Sequence, residues 1–251
     1  MSAELFAMWE AEASQDPAIQ TAKLIRKLVR ASSNEEALAK LAQLDLFDLS
    51  VDPWMKRQWA LDLSVLSKMP TVTGVKLNGS RVVSLDPLKG LTSLKALHVD
   101  ELDLESLDWL AGFSELEVLS ARRNKLRNVD FAASLSKLRE INFAENSLTT
   151  LKPFAGLEKL RLLDLSQNMV ADAGPIAKRK SLRVLRLRRN ALTSLEGLED
   201  LRDLDELDVR ENRIMSLKPI KELSMLSSLG IAGNPLTDDD VDSIRRSIRL
   251  L

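Results

Sequence analysis

The chain has 251 residues, 45% of them hydrophobic, and its 36 Lys and Arg offset 37 Asp and Glu to leave a net charge of −1. No global field therefore recruits nucleic acid or an anionic membrane, and any such role must rest on a local patch. The absence of cysteine removes disulfides, thiol nucleophiles and cysteine-based zinc sites, and it points to a reducing compartment.

From Met1 to Glu10 there is no basic leader and no long apolar run follows, so neither a signal peptide nor a membrane span is expected and the setting read is cytoplasmic. Residues 3–13, with Leu5, Phe6, Met8 and Trp9, make a short candidate helix that could dock a partner. Asp16-Pro17 places an N-cap before a proline at the first helical position, opening a helix through about Val29 with Ile19, Ala22, Ile25 and Val29 on one face. Ser33 and Glu36 spell a capping box ahead of a helix reaching Leu41. Asp52-Pro53 repeats the start signal before Trp54, Trp59, Leu61 and Leu66, the tryptophans being read as cap core. Residues 1–70 are thus predicted to form a helical N-terminal cap.

Residues 71–236 are dominated by a 22-residue period. Val72, Leu94, Leu116, Leu138, Leu160, Leu182, Leu204 and Leu226 open successive units. Val75, Leu97, Leu119, Ile141, Leu163, Leu185, Leu207 and Leu229 follow three residues later, and Leu77, Val99, Ala121, Phe143, Leu165, Leu187, Val209 and Ile231 two further on. Asn124, Asn146, Asn168, Asn190, Asn212 and Asn234 then recur, with Ser80 and Leu102 in the two preceding slots. Alternation around the central leucine predicts a short strand that shelters its apolar side only when stacked on its neighbours. The asparagine is expected to turn inward and pair with backbone of adjacent units. In the second half of each unit, spacings of three such as Leu151, Phe154 and Leu157 predict a 3₁₀ or short helical segment. Pro87, Pro153, Pro175 and Pro219 share one position there. Arg179 stands in a slot filled elsewhere by Leu or Phe, so residues 171–180 are expected to bulge and let it snorkel outward.

The spelling L-x-x-L-x-L-x-x-N-x-L over residues 72–236 resembles the 22-residue class of leucine-rich repeats, which includes phosphatase-regulatory repeats and bacterial internalins. The resemblance implies an α/β solenoid with a parallel concave β-sheet, convex 3₁₀ or short helical segments, and a concave face that grips a protein. At the C-terminus, residues 237–251 carry Asp238, Asp239 and Asp240 early, Val241, Ile244 and Ile248 at helical spacing, and Arg245, Arg246 and Arg249 late, which predicts a cap helix aligned with its dipole.

Residues flanking the central leucine of each strand should face outward, in rows about 4.8 Å apart from strand to strand. The rows bring Arg122, Arg123, Asn142, Leu162, Asp164, Val184, Arg186, Arg188, Arg189, Asp208 and Arg210 together on the middle and C-terminal repeats. Leu162 and Val184, apolar neighbours beside arginines, have the make-up of a binding hot spot. Opposite charges meet as Asp164–Arg186–Asp208, Glu101–Arg123–Glu145 and Arg189–Glu211, which also reads as a lateral salt ladder. A stripe from Lys178 to Arg189 holds Lys178, Arg179, Lys180, Arg183, Arg186, Arg188 and Arg189 without an acid. An acidic protein partner fits it better than nucleic acid, because it offers no aromatic side chain for base stacking.

His98 is the sole histidine and no glycine-rich phosphate loop is present, so no catalytic, cofactor or metal residues are assigned. The expected function is a non-enzymatic protein-binding scaffold or regulator. A bacterial effector or adhesion protein that binds a host protein, and a binder of phosphate or nucleic acid on the basic stripe, are the alternatives. Oligomeric state is left open.

Overall fold

The computed structural model describes residues 72–244 throughout, together with 21, 23, 25–26, 30–41, 46–48, 60–64, 66 and 248–250. The expectations for residues 3–13, Asp16-Pro17, Asp52-Pro53, Trp9, Trp54 and Trp59 lie outside the described residues. The chain divides into two compact units, Met1–Leu102 and Asp103–Leu251.

In the first unit, residues 21, 23, 25 and 26 are helical and Ile25 is fully buried. Helix α1 (Asn34–Leu41) opens on the predicted serine and glutamate, but the box closes one residue further out. Glu36 N donates to Ser33 Oγ (3.2 Å), whereas the Glu36 carboxylate accepts from Ser32 N (2.8 Å) and Ser32 Oγ (2.6 Å). The hydrogen bond from Lys40, then those from Ser32, lower the Glu36 carboxyl to about 2. Strands β1 (Leu46–Asp48), β2 (Gly74–Lys76) and β3 (Ala96–His98) pair in parallel, Phe47 opposite Val75 and Val75 opposite Leu97.

A strand at 46–48 corrects the expectation of a wholly helical segment over residues 1–70. Its physical origin is a hidden repeat: Leu44, Phe47 and Leu49 reproduce the spacing of Val72, Val75 and Leu77, but 28 residues earlier instead of 22. Leu61, also expected on a helix, forms an isolated parallel bridge with Val82.

In the second unit, β4 (Val118–Ser120), β5 (Glu140–Asn142), β6 (Leu162–Asp164), β7 (Val184–Arg186), β8 (Glu206–Asp208) and β9 (Ser228–Gly230) pair in parallel, each with the next. Every partner lies 22 positions on, so the central leucines stack into one column; Leu163, Leu185, Leu207 and Leu229 are fully buried. Behind the sheet, 3₁₀ segments at Asp108–Gly112, Asp130–Ser134, Lys152–Phe154, Gly174–Ile176 and Lys218–Ile220 supply the other wall of the core. Pro153, Pro175 and Pro219 sit in their first turn, where the missing N–H is not needed.

Residues 195–198 depart from this pattern and form a turn around Gly197, at φ +90°. A Cβ added to Gly197 would lie 2.8 Å from Gly174 Cα, so the two repeats touch backbone to backbone. Gly197→Ala is therefore expected to destabilise the protein by about 1–3 kcal/mol, from the disfavoured φ together with the clash. A melting temperature equal to wild type would contradict this packing.

The asparagines form the predicted column. Asn146 Nδ2 donates to Ala121 O (2.9 Å) in the preceding repeat and to Phe143 O (3.0 Å) in its own, while Oδ1 accepts from Leu126 N (3.0 Å). Asn168, Asn190 and Asn212 repeat these contacts one unit at a time. To aim the asparagine inward, the residue before it turns through the left-handed region: Arg123 (φ 54°), Glu145 (58°), Gln167 (57°), Arg189 (54°) and Glu211 (56°), with Gly233 (77°) at the last repeat. A non-glycine residue there costs about 1–2 kcal/mol, so these side chains are retained against local preference.

Arg179 corrects a second expectation. Arg179 N donates to Ile176 O and Leu182 N to Arg179 O (both 3.0 Å), the same bonds that Leu157 makes one repeat earlier, so residues 171–180 do not bulge. The side chain is half-buried, and its Nε is buried without a hydrogen-bond partner. At the C-terminus, helix α2 (Asp238–Asp242) carries a full capping box between Thr237 and Asp240. The helix predicted to continue through Arg249 is replaced there by strand β10 (Arg249–Leu250), which pairs in parallel with Ser228–Leu229. The unpaired edge of β9 accepts those backbone groups, which a helix would have left open.

Candidate protein-binding surface

The outward face of β4–β9 is built from side chains on either side of each buried central leucine, and from the left-handed residues at the strand exits. Register places Leu162 opposite Val184 and Asp164 opposite Arg186. All four are half-buried. An apolar pair thus sits at the strand starts, with a charged pair two residues further along the same strands.

Arg122, Arg123, Arg188 and Arg189 are each held by an acid of the next repeat. Arg122 Nε (2.8 Å to Oε1) and Arg123 Nε (2.6 Å to Oε2) both donate to Glu145. Arg188 Nε (2.9 Å to Oε1) and Arg189 Nε donate in the same way to Glu211. Sequence explains the repetition: Arg-Arg-Asn occurs at 122–124 and again at 188–190, each followed 22 positions after its second arginine by a glutamate at a strand exit. Burial pushes the Glu145 carboxyl up, but hydrogen bonds from Arg123 and Arg122 outweigh it and hold the group below the ordinary carboxylate range. Glu211 is lowered by the hydrogen bonds from Arg189 and then Arg188.

The predicted ladder Asp164–Arg186–Asp208 takes a different form. Arg186 Nε donates to Glu206 Oε1 (2.7 Å), on the diagonal neighbour, while Asp164 Oδ2 lies 3.9 Å from Arg186 Nη1. The Glu206 hydrogen bond is the largest cause of a raised Arg186 pKa. Asp208 turns instead to Arg210, accepting from its Nε (2.9 Å) and its backbone N (3.1 Å). At 5% exposure Asp208, one of the predicted contact residues, lies beneath the face and positions Arg210. Gly230 makes the space: a Cβ there would lie 2.7 Å from Asp208 Oδ1. Asn142 is likewise directed to the backbone, its Oδ1 accepting from Ala144 N (3.1 Å).

The surface therefore offers guanidiniums fixed in place beside an apolar pair. Glu145, Glu206 and Glu211 do the fixing. Two of them were legible as charges one repeat on from an arginine in the same row, but the Arg186–Glu206 diagonal was not, because it joins two different rows. Among the described residues no three His, Cys, Asp or Glu side chains are gathered as a metal ion would need.

Residues 128–170 match the family model described as leucine rich repeat. Among solved structures, an internalin (inlF) from Listeria monocytogenes superposes with a TM-score of 0.74 at 23% identity, covering 85% of this chain and 68% of that one. Internalin C2 (inlC2) of the same species gives 0.71 at 24% identity, covering 86% and 92%. The leucine-rich-repeat ectodomain of the plant receptor kinase GASSHO1/SCHENGEN3 from Arabidopsis thaliana, solved in complex with Casparian strip integrity factor 2, gives 0.68 at 22% identity, covering 86% and 27%. At these identities the likeness is one of fold. A comparison with curated proteins returns no match.

Proposed function

We propose that this leucine-rich-repeat protein is a non-enzymatic scaffold or regulator that binds another protein through the outward face of β4–β9. The observation that carries the reading is the Leu162–Val184 pair set beside arginines that are already immobilised by Glu206 and Glu211. Ordering a long side chain at an interface costs about 0.5–1.5 kcal/mol, and here that cost is met within the free protein. An apolar anchor beside fixed guanidiniums is the usual composition of the few residues that dominate a binding energy. The plant ectodomain, solved with its protein ligand, supports the same use of the fold. The cysteine-free composition supports a cytoplasmic setting for this binding.

The test begins with affinity capture on wild type and on an Arg186→Glu/Arg188→Glu variant, followed by calorimetry with the protein recovered. Hot-spot losses are about 2 kcal/mol or more, so the variant is expected to bind roughly thirtyfold more weakly. Equal affinity for the same partner would remove this face from the reading.

A further inference from the structure

The basic stripe at Lys178–Arg189 does not form one surface. Its later half, Arg186, Arg188 and Arg189, lies on the sheet face and is neutralised there by Glu206 and Glu211. Its earlier half lies at the other side of the repeat, where the chain enters the strand, and joins cations of the preceding repeat. We propose that this strand-entry edge, centred on Arg161 and Arg183, docks an acidic helix of a partner protein.

The edge is organised by the backbone. Arg161 N donates to Arg139 O (2.8 Å), Arg183 N to Arg161 O (2.9 Å) and Asp205 N to Arg183 O (2.8 Å), so residues 139, 161, 183 and 205 form one column. At its ends the charge is answered. Arg139 Nε lies 2.9 Å from Glu117 Oε2, and Asp205 accepts from Ser227 Oγ. In the middle it is not: Arg161 and Arg183 are adjacent and exposed, with exposed Lys159, Lys178 and Lys180 around them. Among the described residues, no acid lies within ion-pair distance of any of these five cations. Glu158, Asp200 and Asp205 are exposed one repeat away from Lys180, Lys178 and Arg183, so these five cations exceed those three acids by two.

Like charges on neighbouring strands oppose each other and destabilise the sheet. At about 4.8 Å the separation is well inside the roughly 8 Å screening length of physiological salt. A bound anion would relieve that repulsion. No aromatic residue occurs over 155–161 or 177–183, which disfavours stacking of bases. Spacing then selects the form of an acidic protein segment. Residues three and four apart on a helix lie about 5–6 Å from one another, close to the step of the column. Same-face residues of an extended strand recur at about 6.8 Å, which falls out of step.

The test uses the full chain and fluorescence anisotropy with three labelled probes. These are a helical peptide with glutamates at three- and four-residue spacing, a peptide of equal composition with glutamates at every second position, and a single-stranded oligothymidine of equal charge. The helical peptide is expected to bind best, and to bind at least tenfold more weakly to Arg161→Glu/Arg183→Glu. Binding should be unchanged for Arg188→Gln/Arg189→Gln, which alters only the sheet face. Arg161→Ser/Arg183→Ser guards against misfolding: it should lose the peptide while melting at or above the wild-type temperature, because a repulsion has been relieved. Failure of wild type to bind the helical peptide, equal binding by the edge variants, or preference for either other probe would each overturn the proposal. The sheet-face reading is tested by Arg186 and Arg188 alone and stands or falls separately.

Discussion

Asn168→Ala is expected to lower stability by about 3–5 kcal/mol, because it strips partners from several buried backbone groups at once, each costing roughly 1–3 kcal/mol when left unpaired. Asn168 Nδ2 donates to Phe143 O (2.9 Å) and Leu165 O (3.0 Å), and Oδ1 accepts from Leu148 N (2.9 Å), so one amide ties two successive repeats together. The site is too closed for bulk water to take over, Asn168 being 8% exposed. Asn168→Asp separates the donor role from size. At neutral pH its carboxylate would face the Phe143 and Leu165 carbonyls with no proton to offer, so the loss should exceed that of alanine. The same environment raises the carboxyl pKa in the folded state above its unfolded value. Folded protein then binds the extra proton first, and stability should be regained as pH falls through the raised folded-state value, the recovery being complete by the unfolded aspartate value of about 3.9. Urea unfolding of both variants across pH 4–7 checks the argument. A loss under about 1 kcal/mol for alanine, or a pH-independent aspartate variant, would mean that the column contributes little.

Strand positions and the asparagine column were legible because each depends on identity at a fixed spacing, and stacking requires that spacing to hold from one repeat to the next. What escaped had a different origin in each case. Strand β1 was hidden by six additional residues between its leucines and those of β2. Strand β10 was hidden by the acids and arginines of 237–251, whose order satisfies a helix dipole, although the open edge of β9 claims the backbone at 249–250. Arg179 stayed in a leucine slot because the backbone bonds of residues 176–182 are repeated from one unit to the next, and breaking that register would unpair more groups than one buried Nε leaves unpaired. On the candidate surface, rows of outward residues could be written down from period alone, but the partner of each charge could not. Side-chain length lets Arg186 reach diagonally to Glu206, and lets Arg210 fold back on Asp208 two residues away. Period fixes where a side chain starts; its reach and the room beside it, here supplied by Gly230, decide where the charge ends.

Phe143→Ala carries the second large expected loss, about 3–5 kcal/mol for a fully buried phenylalanine removed from a packed core. Phe143 is 0% exposed and its ring lies 6.2 Å from that of Phe154 at an interplanar angle of 44°. The two rings should therefore couple by about 0.5–1.5 kcal/mol in a double-mutant cycle, beyond the area each buries. A further test follows from the column that Phe143 occupies. Its predecessor there is Ala121, itself fully buried, and its successor is Leu165. A small residue next to a large one fills the step between repeats at constant volume, as close-packed interiors require. Ala121→Leu alone should overpack that step and cost about 1–3 kcal/mol. Combined with Phe143→Leu, which opens space at the same place, it should cost less than the two single changes summed. If the losses simply add, Ala121 is small for some reason other than the ring beside it, and the repeats are packed independently at this level of the core.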